Sequence, residues 1–72
     1  METDWIEAVM RTNAAIVEAE ARFSAQAASL IALALSGQDT TEAEDLLLSC
    51  RKTLVLLRAL QAQLLRMPGP DA

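Results

Sequence analysis

Ser36-Gly37-Gln38-Asp39-Thr40-Thr41-Glu42-Ala43-Glu44-Asp45 is a helix stop succeeded at once by a helix start. Gly37 can take the left-handed conformation that closes a helix C-terminus without a Cβ clash. Gln38 to Thr41 is a short polar turn. Thr41 with Glu44 fits a capping box, and Thr40, or Asp39 with Glu42, competes for the same role. Glu42, Glu44 and Asp45 put negative charge in the first turn of the second helix, as the helix dipole favours. Gly37, Asp39 and Thr41 are therefore the candidate turn residues.

Upstream of this turn, no Pro or Gly occurs back to Asp4, which with Glu7 resembles another capping box. Ile6, Val9, Met10, Ile16, Val17, Phe23, Ala27, Leu30, Ile31 and Ala34 recur in steps suited to a helix. The pattern predicts a first helix over 4–36, roughly 50 Å long at ~1.5 Å per residue. Downstream, Arg51, Lys52, Arg58 and Arg66 come after the acidic start, and Pro68 ends a second helix predicted over 41–67. Residues 68–72 read as a flexible tail. The fold expected is all-α, an antiparallel helical hairpin, with residues 1–72 as one domain.

The second helix carries a coiled-coil-like seam at Ala43, Leu46, Cys50, Thr53, Leu57, Leu60, Leu64 and Met67. Leu47 and Leu54 flank it, and Leu48, Val55, Leu56 and Ala62 spread round the other side. That is wider than one helix–helix contact covers. The chain has 72 residues, of which 53% are hydrophobic, with Trp5 and Phe23 the only aromatics. Domains this small bury a low fraction of their surface and draw on disulfides, metals or partner subunits for stability. One cysteine makes no internal bridge, and a chain without histidine is poorly equipped for zinc. Oligomerisation remains, and a homodimer in which two hairpins form a four-helix bundle is expected. Its interface is expected to draw on Leu47, Leu48, Leu54, Val55 and Leu56 of the second helix with Ile16, Phe23 and Leu30 of the first.

The stretch from Gly37 to Leu47 resembles a turn pattern, G-H-D-T-x-x-A-x-x-L-L, of small uncharacterised alphaproteobacterial helical-hairpin proteins. Gly37, Asp39, Thr40, Ala43, Leu46 and Leu47 match, with Leu30 and Leu33 upstream. Gln38 stands where the pattern has histidine, and a later basic segment survives only as Leu57-Arg58-Ala59-Leu60. The resemblance covers about the second half of the chain. It implies a bacterial helical hairpin and no activity.

Charge and composition weigh against several classes. The absence of histidine excludes a histidine-kinase dimerisation hairpin or a phosphotransfer bundle, which share this architecture. Cys50 on the seam reads as a small hydrophobe, since a nucleophile needs a base and a setting that stabilises the thiolate. The acidic and hydroxyl residues from Asp39 to Asp45 lack calcium-loop spacing and are accounted for by capping. Glu18 and Glu20, two apart, point to different faces and make no acid–base pair. No catalytic residue, cofactor or metal site is expected, and the chain is not expected to be an enzyme. The acidic opening Met1-Glu2-Thr3-Asp4 is unlike a secretory signal. Ala27 to Leu35 is about half the ~20 residues a bilayer demands. A cytoplasmic protein with no membrane partner is expected.

Two functional classes remain. The first is a non-enzymatic interaction protein or regulatory adaptor, a homodimeric bundle whose leftover apolar surface can receive another helical protein. The second is a small RNA-binding hairpin using Arg51, Lys52, Arg58 and Arg66. The net charge of −4 and the lack of an aromatic stacking platform disfavour nucleic acid. Finally, Glu20 and Asn13 interrupt the first helix's apolar stripe. With the turn near Asp39, residues whose numbers sum to about 78 lie level in the two helices. Arg58 is thus the expected partner of Glu20, as a buried bidentate register pair, with Asn13 acting across the dimer. The competing reading rotates the stripe so that Glu20 reaches solvent.

Overall fold

The computed structural model describes residues 2–67, with side chains from Asp4 onward. Two helices, α1 (Glu2–Leu35) and α2 (Thr41–Arg66), pack against each other as a hairpin. α1 is already helical at Glu2, so Asp4 lies inside its first turns and does not act as the N-cap expected from the capping-box pattern. The tail assigned to 68–72 lies outside the described residues.

Backbone bonding explains the abrupt reversal. The Gln38 N–H donates to the Leu33 carbonyl at 3.0 Å and the Gly37 N–H to that of Ala34 at 3.1 Å. These two bonds, one spanning five residues and the other three, form a Schellman closure, which needs a left-handed residue. Gly37 supplies it with φ 73°. Ser36 Oγ donates to the Leu33 carbonyl at 3.0 Å as well. After three more residues α2 begins at Thr41, the predicted start, with its cap one position earlier than the Thr41 preferred from sequence. Thr40 is the N-cap, and its carbonyl accepts from the Glu44 N–H at 2.8 Å. The Thr40 hydroxyl donates to Glu44 Oε2 at 3.1 Å. Asp39 Oδ1 accepts from both the backbone N–H and the hydroxyl of Thr41, at 3.0 and 2.7 Å.

α1 turns Trp5, Thr12, Ile16, Ala19, Phe23 and Leu30 toward α2, which answers with Ala43, Leu47, Cys50, Leu54, Leu57, Gln61 and Leu64. The steps of three and four continue along both helices, as in a coiled-coil seam. Ile16, Ala19 and Leu54 form the buried centre, with Phe23 and Leu57 against them. This seam is rotated from the expected one by about one residue. Leu46, Thr53, Leu60 and Met67 are exposed, and Leu47, Leu54 and Gln61 point inward in their place. Thr12, the one buried polar residue among those described, donates its hydroxyl to the Ala8 carbonyl at 2.8 Å.

At the open end, the Trp5 indole N–H donates to the Leu64 carbonyl at 3.0 Å. Leu64 is in the last turn of α2, where its carbonyl lacks the usual donor four residues on and has only a longer bond from the Met67 N–H at 3.3 Å. The tryptophan thereby joins the start of α1 to the end of α2. The result is a rod with Cα extents of 57 × 14 × 12 Å. Its radius of gyration is 16.6 Å; a compact chain of this length has about 11 Å.

Candidate functional site

A two-helix rod has one internal contact, so most side chains face outward. Even Leu54, the most enclosed apolar residue, keeps 6% of its surface exposed. Seven of the twelve exposed large apolar residues fall on one side of the rod, while Leu46, Leu56, Leu60, Leu65 and Met67 lie elsewhere on α2. At about 100° per residue, Met10, Val17, Ile31, Leu35 and Ile6 lie roughly 60–120° round α1 from Ile16. Leu48 and Val55 lie about 100–120° round α2 from Leu54. Both sets are on one side of the rod, because Glu20 and Ser24 of α1 share a groove there with Arg51, Val55 and Arg58 of α2. Each helix thus has a second apolar column about a quarter-turn from its first. A square four-helix bundle gives each helix two neighbours at roughly that angle.

The opposite side differs. Its groove joins Ala19 and Arg22 of α1 to Leu46, Ser49, Cys50 and Thr53 of α2. There α2 exposes Leu46, Leu60 and Met67, whereas α1 offers no exposed large apolar side chain. The outer surface of α1 is polar, with Glu7–Arg11 at 3.6 Å and Glu18–Arg22 at 2.8 Å, each one turn apart. Such exposed pairs contribute little to stability.

Polar residues interrupt the first face, and two of these breaks are bridged between the helices. Arg58 Nη2 donates to Glu20 Oε2 at 2.9 Å. Gln61 Nε2 donates to Asn13 Oδ1 at 2.8 Å. The Glu20–Arg58 pair is therefore present, through a single contact, and in the single hairpin its side chains are 49% and 56% exposed, nearer the reading in which Glu20 reaches solvent than the buried bidentate one. The lateral position of Glu20 is the reason: it sits about 40° round α1 from Ile16, at the seam's edge. The sequence pattern gives Asn13 a role across a dimer. Within the chain its carbonyl oxygen accepts from Gln61, a residue that faces the seam and so needs a polar partner.

The eight interface positions expected from sequence divide into two groups. Ile16, Phe23, Leu30, Leu47 and Leu54 face the contact within the hairpin, and Leu48, Val55 and Leu56 are exposed. Leu56 lies outside both grooves, in a shallow depression with Leu48, Lys52 and Val55 at the outer edge of the lateral face, and is 71% exposed. Ile6, Met10, Val17, Ile31 and Leu35 carry the other half of the apolar face. All but Leu35 belong to the first helix's apolar stripe, and periodicity does not separate them from the inward residues. Trp5 gives no positional signal in sequence, since its partner is a backbone carbonyl.

Cys50 is a half-buried free thiol on the inner seam. The Asp39 carboxyl is held below its ordinary value, chiefly by the Thr41 backbone N–H and then by the Thr41 hydroxyl, with a lesser desolvation acting the other way. Among the described residues no group of three or more His, Cys, Asp or Glu could hold a metal ion. No helix among them is long and apolar enough to cross a membrane. By fold the chain is an α-helical hairpin with an apolar lateral face. No family model, curated protein or solved structure matches it.

Proposed function

We propose that this chain is a non-enzymatic protein–protein interaction module that works as a homodimeric four-helix bundle. The observation that carries the reading is the lateral face on which Ile6, Met10, Val17, Ile31, Leu35, Leu48 and Val55 are all exposed. The accessible surface of the chain is 5482 Å². A compact monomer of 7.8 kDa has about 4,400 Å². The excess, on the order of 1,000 Å², is comparable to the ~800 Å² that each partner loses in a standard interface. A second copy over this face gives both helices a second neighbour.

Sedimentation equilibrium at micromolar concentration is expected to give twice 7.8 kDa, with a melting temperature that rises with protein concentration. A 7.8 kDa species whose cooperative melt ignores concentration overturns the reading. The nucleic-acid alternative draws on Arg51, Lys52, Arg58 and Arg66, with no acidic residue between the first and the last. It is the weaker reading because Glu20 already engages Arg58 and the chain carries a net charge of −4. Salt-dependent retention on a phosphate column separates the two.

A further inference from the structure

We infer that the second copy docks head to tail on the face of Ile6, Met10, Val17, Ile31, Leu35, Leu48 and Val55, related by a two-fold axis that crosses the helices at right angles. The inference rests on the homodimer proposed above and adds its symmetry and register. Two arrangements of face-to-face hairpins keep every neighbouring helix antiparallel. With the axis along the helices, both turns lie at one end and α1 packs on α2 of the mate. With the axis across them, the turns lie at opposite ends, α1 packs on α1 and α2 on α2.

The side chains distinguish these. The Asn13–Gln61 and Glu20–Arg58 bonds fix which residues of α1 and α2 are level, with numbers summing to 74 and 78. The arrangement with turns together inherits that register between chains. Among residues on the face, it sets Ser24 against Arg51, Ile31 against Glu44 and Leu48 against no more than Ala28. It also gathers Asp39, Glu42, Glu44 and Asp45 of both chains at one end, where like charges repel.

The crossed axis does the reverse. Any heptad column can be laid antiparallel on itself, so the column alone decides nothing; what it brings together does. For α1 the centre falls between Glu20 and Ala21, which sets Ile6 against Leu35, Met10 against Ile31 and Val17 against Ser24. For α2 the centre is Val55, which meets its own copy. Leu48 then meets Ala62, and Glu44 meets Arg66 at both ends of the helix. The two centres lie at the same height, since 20.5 and 55 sum to a value between those of the two observed bonds. One axis therefore satisfies both helices. The Glu20–Arg58 pair lies beside this axis, so that it meets the same pair of the mate and the polar break of one copy covers that of the other.

Cysteine cross-linking in the full chain, on a Cys50→Ala background, tests the register while sedimentation reports the stoichiometry independently. Val55→Cys alone is expected to form a disulfide-linked dimer on mild oxidation, since Val55 meets itself. Met10→Cys and Ile31→Cys are each expected to stay unlinked alone and to cross-link when mixed and allowed to exchange. A dimer by sedimentation in which neither linkage forms overturns the crossed axis and leaves the homodimer standing. A monomer overturns both. Helical circular dichroism of each variant, matched to the Cys50→Ala parent, assures that a missing cross-link is not a missing fold.

Discussion

Gly37 and Asp39 show how single residues reverse a 57 Å rod. A Cβ placed on Gly37 would meet nothing within 4 Å, so a side chain there costs only the left-handed conformation at φ 73°. Gly37→Ala is expected to lower unfolding free energy by about 1–2 kcal/mol, and Gly37→Val by more, because β-branching further restricts the backbone. Denaturant melts at fixed concentration check this, and a Gly37→Val protein that melts like the parent refutes it. Asp39 acts through charge. Because the Thr41 bonds lower its pKa in the folded chain, its contribution is complete above the unfolded value of about 3.9 and disappears as pH falls through the still lower folded value. Asp39→Asn is therefore expected to melt earlier than the parent near about pH 7, the gap closing toward about pH 2. A carboxyl titration by NMR should place the Asp39 midpoint below the ordinary aspartate value. A midpoint at the ordinary value would show that the Thr41 bonds do not persist.

Between the helices, three contacts fix how α1 lies on α2: Trp5 to Leu64, Asn13 to Gln61 and Glu20 to Arg58. Trp5→Phe keeps the packing and removes the donor, with an expected loss of about 0.5–1.5 kcal/mol. Amide exchange should quicken first in the last turn of α2, and uniform quickening along α2 would count against a local tie. For Glu20 and Arg58, exposed pairs couple by about 0.2–1 kcal/mol. If a second copy covers them, Glu20→Gln, Arg58→Met and the double variant should give a coupling above about 1 kcal/mol. A value within the exposed range leaves the pair in solvent. The Glu20–Arg58 contact was legible in sequence because it comes from two simple quantities, the turn position and the rise per residue. Its exposure in the single chain was one of two readings the sequence left open, and the inward face of α2 was not legible. Leu46-Thr53-Leu60 and Leu47-Leu54-Gln61 are adjacent columns of similar composition, and periodicity alone does not choose between them. The choice lies with α1, where Ile16 and Ala19 receive Leu54, and with Asn13, which satisfies a glutamine that sequence reasoning would keep out of a seam.

At the scale of the molecule, the hairpin is apolar on more sides than it can cover alone, and the useful test separates those sides by charge. Ile31 is 59% exposed and Leu56 71% exposed in the single chain, so neither packs strongly within the hairpin. Their surroundings differ. Ile31 lies on the face shared with Met10 and Val17, flanked along its helix by Ala27, Ala28, Ala34 and Leu35. Leu56 lies beyond Leu48 and Val55 toward the back of α2, one turn from Lys52, which can pair with a carboxylate at that spacing. Ile31→Glu is therefore expected to place two unpaired carboxylates in the interface of each dimer, and Leu56→Glu none. Burying such a charge without a partner is costly enough that a dissociation constant at least about 100-fold weaker is expected for Ile31→Glu, or about 2.7 kcal/mol. Because the separated hairpin has only one internal contact, this variant should also lose helicity at concentrations where the parent keeps it. Lowering the pH through the carboxyl range should restore part of the association, since a neutral side chain is easier to bury. Leu56→Glu should sediment and melt like the parent at every concentration. If Leu56→Glu dissociates the dimer and Ile31→Glu does not, the subunits meet through the back of α2 and the lateral face is open to solvent.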